Sequence, residues 1–125
     1  MEQLILHLVG DFVTQSDWMA MNKTKRTWPA LCHAVVYSLP FLLIGSPRAV
    51  SVIFATHLVI DRFRLIRFWI WAKNWVAPGG YYPWSECSET GFHKDVPSWL
   101  ATWLMIIADG TLHLICNYCA LRWIK

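Results

Sequence analysis

The chain has 125 residues, 56% of them apolar and nine of them tryptophan, with a formal net charge of +3. That length allows one domain at most (1–125), and so apolar and aromatic a composition exceeds what a soluble domain of this size carries, so a small membrane-embedded protein is expected. The positive charge lies mainly in two clusters, Lys23, Lys25 and Arg26, then Arg62, Arg64, Arg67 and Lys73, each flanking a predicted helix end. Such clusters read as cytoplasmic topology signals and not as a nucleic-acid patch, so no duplex partner is expected.

The first predicted helix covers residues 4–21. It is apolar at Leu4, Ile5, Leu6, Leu8, Val9, Phe12 and Val13, yet it carries His7, Asp11, Gln15 and Asp17. It suits a membrane only if the polar stripe 7, 11, 15 faces protein. This segment has neither a basic leader nor a small-residue cleavage site, so it does not read as a cleavable signal. The second predicted helix, residues 27–45, has no charged residue unless His33 is protonated, and at about 1.5 Å per residue it approaches the roughly 30 Å of a hydrocarbon layer.

A third helix begins over residues 49–60 and continues through Asp61 into the basic, aromatic stretch 62–75. Residues 78–97 are rich in Gly, Pro and aromatics and read as a long irregular segment, either a lid or a plain connector. The fourth helix, residues 98–121, is broken only by Asp109, His113 and Asn117, with Trp99 and Trp123 as interface anchors. With both basic clusters cytoplasmic, the turn at Ser46, Pro47 and Arg48 and both termini lie outside. The expected fold is an all-α polytopic membrane protein, a bundle of about four helices of which three or four span a lipid bilayer.

Three histidine–aspartate pairs are spaced four residues apart within these apolar stretches: His7 with Asp11, His57 with Asp61, and Asp109 with His113. Residues four apart stack on one helix face, so each pair can grip a common object. Burying an aspartate in a membrane is costly unless something neutralises it, and three such costs in one small chain suggest a shared cation. Imidazole nitrogen together with carboxylate oxygen suits zinc, manganese or iron, whereas magnesium and calcium lean on oxygen alone. His33 adds a fourth histidine, with Tyr37 one turn along. Four His and three Asp are enough for two divalent ions per chain, which would clamp the attacking and leaving oxygens of a displacement. Counted at about 1.5 Å per residue from the helix ends, most of these groups fall between one interface and the bilayer middle.

Four cysteines complete the inventory. Cys116 and Cys119 form a CxxC without a second CxxC, Cys32 lies in the second helix and Cys87 in the long loop, and all four read as small apolar fillers. Cys116 alone lies close enough in register to His113 to serve as an extra ligand.

The run from His7 through Gly10, Asp11 and Thr14 to Gln15, followed by Asp17, Trp18, Met19, Ala20 and Lys23, then His33, then Thr56, His57 and Asp61, and finally Asp109 to His113, resembles the small bacterial and phage membrane proteins grouped as DUF3307. The resemblance covers nearly the whole chain. Gly110 stands where that family's last motif usually carries Gln, which removes a supporting hydrogen bond and leaves the ligands. The resemblance implies the inner (cytoplasmic) membrane of a bacterium, or of the host cell for a phage-encoded chain. It also implies Gln15 and Lys23 as substrate contacts, the lysine holding a phosphate-bearing headgroup or nucleotide. The layout is similar, too, to bacterial membrane-bound metal-dependent hydrolases.

The expected function is a metal-dependent hydrolase acting on a phosphoester or acyl bond of an amphipathic or phosphate-bearing substrate near the cytoplasmic interface. Metal-activated water would be the nucleophile, and Asp61 or Asp109 would accept its proton. A metal-ion or proton carrier is the alternative, and it needs polar residues reaching both faces of the bilayer. A holin-like or partner-binding small phage protein is a third reading, in which the three pairs have no purpose. A homo-oligomer is compatible with each.

Overall fold

A computed structural model describes residues 1–125, which are helical with no strand. The contacts divide it into two compact units, Met1–Phe63 with Leu112–Lys125, and Arg64–Thr111.

In the first unit, α1 (Glu2–Leu8) runs into one turn of π-helix, Val9–Val13, closed by the Thr14 amide donating to the Val9 carbonyl at 2.9 Å. The predicted single helix over residues 4–21 is therefore two. Chain direction changes at Thr14 and Gln15, and Ser16 caps α2 (Asp17–Asn22), its hydroxyl accepting from the Met19 amide with Asp17 in the first turn. A serine cap followed by an acidic residue is how a helix starts, not how one continues. Helix α3 (Thr27–Ser38) holds Pro29 in its first turn, where no amide is needed. Pro40 removes an amide at the other end, and the chain tightens into the 3-10 segment Leu39–Leu43.

Ser46 then opens α4 (Pro47–Phe63), accepting from the Ala49 amide and donating to the Ile124 carbonyl. Helix α3 lies along α4. Their core, Tyr37, Phe41, Val50 and Ile53, is closed by Ala120, with Leu6, Leu121 and Ile124 at its margin. Helix α4 stops at Arg64, whose φ of 50° no helix accommodates. The predicted continuation through residues 62–75 is thus broken.

The second unit holds α5 (Ile66–Trp75), the single turn α6 (Trp84–Cys87) and the first half of α7 (Ser98–Trp123). Residues 78–97 are less irregular than their composition suggests. Arg64 and Arg67 donate to the carbonyls of Glu89 and Ser88, and Trp71 donates to that of Tyr82. Phe68 stacks on Trp84. Gly91 has φ +87°, and a Cβ there would meet Ile70 Cβ at 2.7 Å, so only glycine lets this loop approach α5 so closely. The loop and α5 enclose a cavity of about 200 Å³ lined by Trp71, Tyr82, Cys87, Phe92 and His93. Beside it, the His93 hydrogen bond, aided by the Lys94 charge, holds the half-buried Glu86 carboxyl below the usual carboxylate range.

Helix α7 has 26 residues and is the one helix long and apolar enough to cross a membrane. The core helix of a soluble protein meets the same test, but such a helix is mostly buried, and only 17% of this apolar stretch is. Large side chains such as Trp99, Trp103, Ile107 and Ile115 stand exposed along it.

Candidate metal centre

Five helical segments of the first unit bring their polar side chains to one place. Asp11 comes from the π-turn, His7 from α1, His33 and Tyr37 from α3, His57 and Asp61 from α4, and His113 and Asn117 from the last part of α7. A π-turn widens the helix by one residue and re-aims a side chain, and such turns are frequent at functional sites. Here it serves Asp11.

The innermost group is Asp11, His33, His57 and Asp61, whose donor atoms all lie within 4.8 Å of one another. His33 Nε2 is 3.2 Å from both Asp11 Oδ1 and Asp61 Oδ2. His57 Nε2 is 3.2 Å from Asp61 Oδ2, 3.6 Å from Asp11 Oδ1 and 3.0 Å from His33 Nε2. These separations match the edges of a coordination polyhedron. With metal–ligand bonds of about 2.0–2.2 Å, neighbouring donors stand about 2.9 Å apart in an octahedron and about 3.4 Å apart in a tetrahedron. Two imidazole nitrogens facing each other at 3.0 Å can share at most one proton, and both also face the same two carboxylates. Asp61 Oδ2, buried, has these nitrogens and Lys23 around it but no well-aligned hydrogen bond. A point charge in front of four converging donors satisfies all of them at once, so the donor set fits a divalent ion.

Around this group lies a supporting layer. Asp61 turns its other oxygen to His113, with Oδ1 at 3.2 Å from Nε2, and His113 Nδ1 is 3.1 Å from His57 Nδ1. His7 Nδ1 is 3.4 Å from Asp11 Oδ2 and 2.9 Å from the Tyr37 hydroxyl. Asn117 Nδ2 donates to that hydroxyl at 2.7 Å. The Tyr37 ring stacks on His57, with centroids 3.5 Å apart and planes 13° from parallel. Gly10 makes room for this ring, because a Cβ there would stand 2.5 Å from Tyr37 Cδ2. His57 is thereby held on one face by Tyr37 and at both nitrogens by His33 and His113.

Of the residues singled out from sequence, His7, Asp11, His33, His57, Asp61 and His113 meet in this cluster. Asp109 precedes His113 by one turn of α7 and belongs to the second unit. Lys23, reached through the resemblance, places Nζ 2.7 Å from Asp61 Oδ2 and 3.1 Å from His33 Nε2. Gln15 falls beyond the π-turn, so it does not extend the stripe of His7 and Asp11, and its buried Oε1 has no hydrogen-bond partner. Tyr37 and Asn117 were not among the sequence candidates. The signal for Asn117 was its position one turn after His113, on the same face of an otherwise apolar helix. The four cysteines are free.

An all-α chain with one membrane-length helix and a buried cluster of four histidines, two aspartates and a lysine defines the class. The chain belongs to the DUF3307 family, described as a protein of unknown function, whose profile matches residues 1–120. No curated protein and no solved structure matches it.

Proposed function

We propose that this chain is a metal-dependent hydrolase embedded in the inner membrane, acting on a phosphoester or acyl bond near the cytoplasmic interface. The observation that carries this reading is the convergence of Asp11, His33, His57 and Asp61 at coordination-edge distances. Zinc, manganese or iron fits that mixture of nitrogen and oxygen. Such an ion supplies Lewis-acid polarisation and lowers the pKa of water toward neutrality. Asp61, with one oxygen in the donor set and the other toward His113, is the carboxylate placed to accept a proton from the attacking water. His7, Tyr37 and Asn117 hold the first group in orientation, as outer partners of metal ligands do.

Embedding is supported by the apolar surface. Besides α7, the apolar stretch Thr27–Leu43 leaves Trp28, Val35, Leu39, Leu42 and Leu43 exposed, a row that suits lipid and not water. In the bundle we envisage, α3 with its 3-10 extension, α4 and α7 span the bilayer. A carrier finds less support, because a pathway strings polar groups along its length and these bunch in one cluster.

The test is hydrolysis in lipid nanodiscs. Metal-stripped protein is given zinc, manganese or iron and offered nitrophenyl phosphoester and nitrophenyl acyl ester reporters. Turnover that returns with one metal in wild type but not in His57→Ala supports the reading. Retained metal without turnover of either reporter class overturns the hydrolase.

A further inference from the structure

Lys23 occupies a position that the donor set would otherwise give to an ion. Its ammonium has three hydrogens and no lone pair, so it can bond the His33 Nε2 it faces at 3.1 Å only where that nitrogen is unprotonated, the state that a metal ligand also requires. That nitrogen has one lone pair. It can accept from Lys23 or ligate a metal, but not both. Asp61 Oδ2, 2.7 Å from the same ammonium, is likewise shared between the lysine and the prospective ion. An ammonium and a divalent cation bound to the same oxygen would lie only a few ångströms apart with little water between them.

We infer that Lys23 is the resident counter-cation of the metal-free site, that a divalent ion displaces it, and that the released ammonium then holds a phosphate group on the substrate. The inference rests on the metal reading above and selects the phosphoester over the acyl bond. Charge balance favours it: Asp11 and Asp61 carry two negative charges, which the ion neutralises, so the released lysine is a surplus positive charge beside the reacting centre. The backbone permits the movement. Lys23 follows the last residue of the six-residue helix α2, its side chain is 17% exposed, and Arg62 pins the next residue by donating to the Thr24 carbonyl at 2.8 Å. The side chain can therefore swing while the turn stays anchored to α4.

The experiment uses full-length wild type in detergent and reads acylation of individual lysines by mass spectrometry. Zinc or manganese alone is expected to raise Lys23 labelling at least threefold, with Lys25 and Lys94 unchanged. Lys23→Met is expected to bind the same metal at least tenfold more tightly than wild type, with Lys23→Arg close to wild type. Glycerol phosphate added to the metal-loaded protein should suppress Lys23 labelling again, whereas acetate should not. Suppression by glycerol phosphate assigns a soluble phosphoester; suppression only in phosphatidylglycerol nanodiscs assigns a lipid headgroup, and suppression by neither overturns the phosphate assignment. Metal binding with unchanged Lys23 labelling overturns the displacement while leaving the metal reading intact. Failure of both wild type and Lys23→Met to bind metal overturns the metal reading itself.

Discussion

Replacing Asp61 by asparagine preserves the shape of the side chain and removes its charge, which separates packing from electrostatics at the centre of the cluster. The carboxylate is buried, with one oxygen facing Lys23, His33 and His57 and the other facing His113. Two effects follow. Breaking one side of a buried ion pair costs about 3–5 kcal/mol, but Lys23 is 17% exposed and can turn its head toward water, which lowers the expected loss of stability to about 1–3 kcal/mol. Metal binding suffers more. Losing an outer partner of a ligand weakens affinity about 10–100-fold, so losing a ligand itself should weaken it by about 100-fold or more, roughly 2.8 kcal/mol. The assay is metal content after gel filtration, paired with denaturant unfolding followed by tryptophan fluorescence. Adding Lys23→Met to Asp61→Asn should recover part of the stability while leaving metal affinity far below that of Lys23→Met alone, because it removes the uncompensated ammonium but restores no ligand. Wild-type metal stoichiometry in Asp61→Asn would refute the reasoning, and the site would have to lie elsewhere.

Gly10→Ala should destabilise by about 1–3 kcal/mol and lower metal retention, since the new methyl group meets the Tyr37 ring that stacks on His57; a melting curve close to wild type would contradict this. Tyr37→Phe keeps the stacked ring but strands the buried Asn117 amide, so it should cost about 1–3 kcal/mol in unfolding experiments while changing metal affinity less than Asp61→Asn does. Replacing Cys116 and Cys119 together by serine should leave metal content unchanged, and loss of metal there but not in His113→Ala would make α7 a thiolate site instead.

The pairs within unbroken helices were the most legible part of the chain. His57 and Asp61 lie on continuous α4, so their spacing alone placed them together, and their 3.2 Å contact follows from helix geometry. His7 and Asp11 meet as expected, although through a π-turn that their spacing could not distinguish from ordinary helix. The break before α2 was signalled by Ser16 and Asp17, but the surrounding apolar run concealed it. At Arg64 no residue type announced the stop, because a positive φ outside glycine follows from tertiary contacts and not from local preference. The partnership of Tyr37 with Asn117 spans eighty positions of sequence and depends on how α3 and α7 are rotated, which no periodicity fixes. Sequence puts Lys23 in a basic cluster and, by resemblance, at the substrate, and only the fold brings it to Asp61.

The most direct measurement is elemental analysis of the wild-type protein, purified in detergent without added metal, beside His57→Ala prepared identically. The expected result is about one to two equivalents of zinc, manganese or iron per wild-type chain and nearly none in the variant. Wild-type protein without a transition metal even after loading, or His57→Ala retaining the full complement, would contradict a metal centre built on Asp11, His33, His57 and Asp61.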